Sequence, residues 1–216
     1  MSVLSPRGRR GVCAAAATAC AIAGLALLTI ALLSYQPPPP APPPSARAQA
    51  QAATTGSGPG RQATVLPASE PVQVISQRIG LATAVEAVGV AKDGSVAMPT
   101  DPDRAGWYTG SVTPGERGNA ILAAHLDSTS GPAAFYGLGA LRKGDRITVR
   151  RRDGREAVFT VTAMNVYAKD AFPSQAVYGP TADPQLTLIT CADWDNRAEA
   201  YRANLVVTAH PPPDPA

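Results

Sequence analysis

Leu186-Thr187-Leu188-Ile189-Thr190-Cys191 is an apolar run that stops at a thiol, and the residues behind it, Ala192-Asp193-Trp194-Asp195-Asn196, turn polar at once. Its Leu, Ile and Thr content predicts a β-strand. We read Cys191 as standing where that strand gives way to a loop. Such ends join a rigid scaffold to open chain and are suited to presenting a nucleophile. The bland reading is an inert core thiol, because free cysteine is among the most buried residue types.

Working outward, the neighbouring segments carry the same short, alternating pattern. Strands are expected over residues 72–75, 85–90, 95–98, 120–124, 146–151, 157–166 and 205–209, besides 186–190 itself. Lys92-Asp93-Gly94 and Asp153-Gly154 read as hairpin turns, Lys143-Gly144-Asp145 as a turn into the strand at 146, and Pro114-Gly115-Glu116-Arg117-Gly118-Asn119 as a loop. Residues 135–141 are the most helix-like piece of this region. About eight short strands with frequent turns predict an all-β domain, a closed or nearly closed barrel or a sandwich.

The chain has 216 residues, with 22 Pro and 19 Gly, and the prolines gather at its two ends. Arg7, Arg9 and Arg10 flank an uncharged apolar stretch over 11–35, long enough to cross a hydrocarbon core as a helix. The basic flank predicts a cytoplasmic N-terminus and everything after residue 35 outside. A retained signal-anchor is expected over a cleaved signal peptide, although residues 46–53 offer Ala-x-Ala sites. Residues 37–44 (Pro-Pro-Pro-Pro-Ala-Pro-Pro-Pro) cannot form helix or sheet interior and should extend as a polyproline spacer. The expected organisation is therefore 1–10 basic and cytoplasmic, 11–35 membrane anchor, 36–70 extracytoplasmic linker, 71–210 folded domain and 211–216 Pro-rich tail.

Net charge is +3 and aromatics are 5% of residues, with no basic stripe, so nucleic acid is not an expected partner. Of the three cysteines, Cys13 and Cys20 fall in the anchor, leaving Cys191 without a disulfide partner in the folded domain. His125 and His210 are far apart, no Cys/His cluster exists, and neither a metal nor a cofactor is expected.

His125 ends the run at 120–124 as Cys191 ends its own, and Asp127 follows two residues later. An imidazole beside a thiol can keep it as thiolate and later protonate a leaving amine. An oxyanion also needs a donor. Arg197 and Arg202 both lie between Cys191 and the last strand. If the last two strands pair, Arg202 lies closer to the thiol, with Asn204 a further donor.

At this point the sequence resembles the sortases, membrane-anchored cysteine transpeptidases of Gram-positive bacteria. The motifs are Thr187-Leu188-Ile189-Thr190-Cys191 and Ala123-Ala124-His125-Leu126-Asp127. It is most similar to class F sortases of actinobacteria. That likeness rests on Gly106-Trp107-Tyr108, Pro114-Gly115-Glu116-Arg117-Gly118-Asn119, Gly131-Pro132-Ala133-Ala134-Phe135, Leu141-Arg142-Lys143-Gly144-Asp145 and Tyr201-Arg202-Ala203-Asn204. Two departures stand near the thiol: Ala192-Asp193 where the family often has Gly-Gly, and Ala124 where it often has Gly. The resemblance implies an eight-stranded sortase barrel with short helices. It implies catalysis by His125, Cys191 and an arginine, Arg202 before Arg197, with Asp127, Thr190 and Asn204 shaping the site. It also implies the partners: secreted proteins with a C-terminal Leu-Pro-x-Thr-Gly-like sorting signal, and a peptidoglycan-precursor amine. The alternatives are a hydrolase of the same fold, with water as acceptor, and a wall-tethered binding module with a structural thiol.

Overall fold

The computed structural model describes residues 29, 38–47, 64–92 and 94–212. The chain divides into two units, Met1–Pro38 and Pro39–Ala216. Apart from Thr29, the expected anchor lies outside the described residues, as does most of the linker. No helix among the described residues is long and apolar enough to cross a membrane.

The described residues of Pro39–Ala216 form ten strands: β1 (Pro71–Ser76), β2 (Leu81–Val88), β3 (Ala105–Tyr108), β4 (Asn119–Ala123), β5 (Asp127–Ser128), β6 (Gly131–Pro132), β7 (Arg146–Arg151), β8 (Glu156–Ala168), β9 (Gln185–Asp195) and β10 (Ala200–His210). Eight close into one barrel in the order β1-β2-β3-β4-β9-β10-β8-β7, and β5 and β6 form a separate short ladder. The mainly β architecture is the expected one, and closure settles barrel over sandwich. Two neighbour pairs are parallel, β2 with β3 and β4 with β9; the other pairings are antiparallel.

Alternation along each strand fills the barrel. Leu186 and Leu188 on β9, Ala120 and Leu122 on β4, Phe159 on β8 and Leu205 and Val207 on β10 join the interior cluster. The intervening residues Ile189, Ile121, Ala123 and Val206 form a second cluster on the outer face, covered by Met98, Tyr167, Phe172 and Tyr178. An antiparallel sheet usually leaves its outer face to water. Here that face carries its own apolar floor. On β8 the pairing slips between Thr208↔Ala163 and Ala209↔Val161. This bulge changes the phase of the strand, so that Val161 and Met164 both point inward.

Several elements differ from the sequence expectation. Cys191 does not end its strand: β9 continues to Asp195, because it forms a tight hairpin with β10 through Asp195↔Ala200. Residues 95–98 supply only an isolated bridge, Val90↔Val96, rather than a strand. The helix-like piece at 135–141 is a 3-10 helix, Tyr136–Ala140. Its two glycines weaken an α-helix, and Gly139 lies so close under Pro40 that an added Cβ would collide with the Pro40 carbonyl. A short α-helix, α1 (Ser174–Tyr178), was not foreseen.

The folded body also begins upstream of residue 71. Leu66 N–H donates to the Gly115 carbonyl (2.9 Å) and Ser69 N–H to Thr113 Oγ1 (2.9 Å). Arg151, fully inside the barrel end, donates to the carbonyls of Pro114 (2.9 Å) and Pro67 and to Asp153 (3.1 Å). One guanidinium thus ties β7, the loop before β4 and the lead-in to β1.

Candidate active site

The parallel pair β4–β9 is the foundation of the site. Its register runs from Asn119↔Gln185 to Ala123↔Ile189. Beyond β4 the chains stay joined: Ala124 N–H donates to the Ile189 carbonyl (3.2 Å), and Thr190 Oγ1–H donates to the Ala124 carbonyl (2.8 Å). The ladder itself ends at Ala123↔Ile189, and His125 and Cys191 each follow two residues later. Ile121, Ala123 and Ile189 belong to the outer-face cluster, and Cys191, two residues past Ile189 on β9, lines the cleft over that face. Thr190, between them in phase, points inward and serves as a clamp on the backbone of β4.

Cys191 is a free, half-buried thiol. Asn204 of β10 lies directly across from it. Burial pushes the thiol pKa up, the ammonium of Lys169 pulls it down, and the carboxylate of Asp127 pushes it up. His125 is anchored at two points: Nε2–H donates to the Pro99 carbonyl (2.9 Å), and its own carbonyl accepts from Phe135 N–H (3.0 Å). That leaves Nδ1 as the nitrogen free to take or give a proton.

Asp127, on β5, accepts a hydrogen bond from the Tyr201 hydroxyl. Burial and that carboxylate together raise the Tyr201 pKa, so the phenol stays protonated. Tyr201 stacks edge-on against Trp194 across the β9–β10 hairpin (4.9 Å between rings). Arg202 is exposed and its Nε–H donates to Asp195 (3.1 Å). Asp195 also receives the backbone N–H groups of Arg197 (2.8 Å) and Ala198 (3.3 Å). These bonds, that from Arg197 first, hold its carboxyl below the ordinary range. Arg197 therefore belongs to the hairpin turn, whereas Arg202 lies on β10 in the same outward phase as Asn204.

Two clefts meet at Cys191. One, of about 400 Å³, runs over the outer face and is lined by Val96, Met98, Ala123, Phe172, Tyr178, Ile189, Lys169 and Asn204. Its lining is mixed, with Ser95, Ser174 and Thr190 as further polar groups beside the apolar floor. The other, of about 390 Å³, opens at the barrel mouth among Leu126, Val166, Trp194, Tyr201 and Leu205, and is walled by residues 39–44. Arg47 closes that wall with an ion pair to Asp193 (2.9 Å), and Ala46 is wholly buried. Among the described residues no cluster of three or more His, Cys, Asp or Glu side chains occurs.

Of the residues that sequence reasoning brought forward, Cys191, Thr190 and Asn204 line one cleft, Asp127 bonds to Tyr201 of the other, His125 follows β4, and Arg202 and Arg197 lie at the β9–β10 hairpin. Sequence reasoning missed Lys169, Tyr201 and the wall of residues 39–47. Tyr201 carried a signal, since it stands in β10 two residues before the inward-facing Ala203. Lys169 carried none, because its approach depends on β8 lying next to β10.

A closed barrel thus carries a free thiol on β9 and an imidazole just past the end of its parallel neighbour β4, the two groups a cysteine-dependent acyl transfer needs. The family description Sortase domain matches residues 78–212. The chain belongs to the sortase family, whose members are cysteine transpeptidases. Among solved structures it is similar to sortase C1 of GBS pilus island 1, at 23% identity and TM-score 0.51, covering 67% of this chain and 66% of that one. It is also similar to a lid mutant of sortase A from Corynebacterium diphtheriae (20%, TM-score 0.51, 67% and 72% covered) and to a Clostridium perfringens sortase D5 transpeptidase (18%, TM-score 0.50, 66% and 79% covered). At these identities the likeness is one of fold. No curated protein matches the sequence.

Proposed function

We propose that this protein is a membrane-anchored sortase of class F type. In this reading it cleaves a Leu-Pro-x-Thr-Gly-like sorting signal of secreted proteins and passes the acyl group to a cell-wall amine. The observation that supports the reading is the parallel β4–β9 register, from whose last pair, Ala123↔Ile189, His125 and Cys191 each stand two residues on, with Cys191 lining the outer cleft. The Cys191 thiolate attacks the carbonyl of the Thr–Gly bond, with Asn204 across the strand and Arg202 on β10 as donors to the developing oxyanion. His125 gives a proton to the departing amine. An incoming amine then attacks the thioester and returns Cys191 to thiolate. Residues 11–35 hold the enzyme in the membrane, with the barrel on the outer side.

The test is intact-mass analysis of the full chain in detergent with a panel of Leu-Pro-x-Thr-Gly-like peptides, with and without triglycine or a diamino-acid amine. The expected result is a thioacyl adduct that is absent in Cys191→Ala and passes to the amine. An adduct that yields only free acid would make the protein a hydrolase. No adduct with any peptide, together with a thiol that resists alkylation until the barrel is unfolded, would overturn the reading.

A further inference from the structure

The groups that the family pattern assigns to the thiol are engaged elsewhere. His125, from the chain leaving β4, is bonded to the Pro99 carbonyl. Arg202, on β10, is bonded to Asp195. Of the carboxylates, Asp127 on β5 accepts from Tyr201, and Asp193 on β9 pairs with Arg47. The cation that touches the sulfur comes from a third direction. Lys169 opens the 3-10 turn Lys169–Ala171 directly after β8. Its neighbour Ala168 pairs with Ala203, and Tyr167 pairs with Asn204, which in turn faces Cys191. The bulge in β8 sets Tyr167 on the outer face, and Lys169 carries its side chain over the same face. Its Nζ stands 4.0 Å from Cys191 Sγ, and it lines the outer cleft. Lys169 is in no ion pair among the described residues.

We propose that Lys169 is a further catalytic group, whose ammonium pairs with the Cys191 thiolate and stabilises the nucleophile in its charged form, leaving His125 to serve the departing amine. The thiol proton passes to solvent. No bond forms to Lys169 at any stage. The inference rests on Cys191 being the nucleophile, as proposed above, but not on any sorting signal. Burial disfavours the thiolate most, Lys169 favours it and Asp127 disfavours it; together they leave the thiol pKa raised, so that loss of Lys169 would raise it further. Unit charges at this separation, screened as in water, alter an ionisation midpoint by roughly 0.7 pH unit, or about fivefold in thiolate fraction.

The experiment measures the rate of Cys191 alkylation by iodoacetamide in the full chain across pH 5–10. The Cys191 peptide is quantified by mass after digestion, so that Cys13 and Cys20 are counted apart. Lys169→Met should raise the midpoint by roughly half a unit to one unit and slow alkylation at pH 7 about fivefold. Lys169→Arg should restore most of the difference, and high salt should shrink it. A Lys169→Met profile that overlays the wild type, or an upward shift that arginine does not rescue, would overturn the proposal. Because alkylation needs no peptide, failure of every sorting signal would count against the function proposed above and leave this result standing.

Discussion

At the scale of single residues, the two arginines near the thiol separate by phase. Arg202 shares the outward phase of Asn204, whereas Arg197 sits in the turn that Asp195 caps. Arg202→Ala should lower the rate of thioacyl formation by roughly 10²- to 10³-fold, the range for losing an oxyanion donor, and Arg197→Ala should leave it within about twofold of wild type. Single-turnover mass kinetics decides between them, and an equal loss in both would remove Arg202 from the mechanism. His210 offers a second residue-scale prediction, away from the site. Its ring bonds to Thr162 Oγ1 (2.9 Å) and burial holds its pKa below the ordinary value. An imidazole that is harder to protonate when folded gives stability that is complete above the unfolded pKa, about 6.5, and declines as pH falls below it. Thermal melts between pH 8 and 5 should show that decline in the wild type and a shallower one in His210→Gln.

At the scale of elements, the site depends on phase and register. The sequence showed that 186–190 and 120–124 are strands and that a thiol and an imidazole follow them. It could not show that these strands are parallel neighbours, because that pairing joins residues 66 positions apart and leaves no local pattern. The end of β9 was misplaced for a related reason. Polar residues after Cys191 look like loop in isolation, yet the hairpin partner β10 keeps them extended. The β8 bulge was illegible too, since a one-residue slip inverts every later side chain without altering composition. Packing within these strands is open to direct test. Leu188 is fully buried between β4 and β10. Leu188→Ala should destabilise the fold by about 2–5 kcal/mol, read from urea denaturation.

At the scale of the whole molecule, chain upstream of β1 is part of the folded body. Arg151 donates to Pro67 as well as Pro114, and Glu70 pairs with Arg152 (2.8 Å). A chain beginning at residue 71 should therefore unfold at lower urea than one beginning at 64. The difference should be on the order of 1–3 kcal/mol, the cost of leaving a buried polar partner unmatched. Equal midpoints would show that the lead-in only rests on the barrel.

The parallel pairing of β4 with β9 also sets an order of events when the chain folds. β7–β8 and β9–β10 are hairpins that close over short loops, whereas Ala123 can meet Ile189 only after the whole intervening chain has been brought round. Non-local closures are slow relative to hairpin formation. The ladder that brings the end of β4 alongside the strand bearing Cys191 forms only at that closure, so during refolding from urea the recovery of peptide cleavage should trail the return of strand signal in circular dichroism.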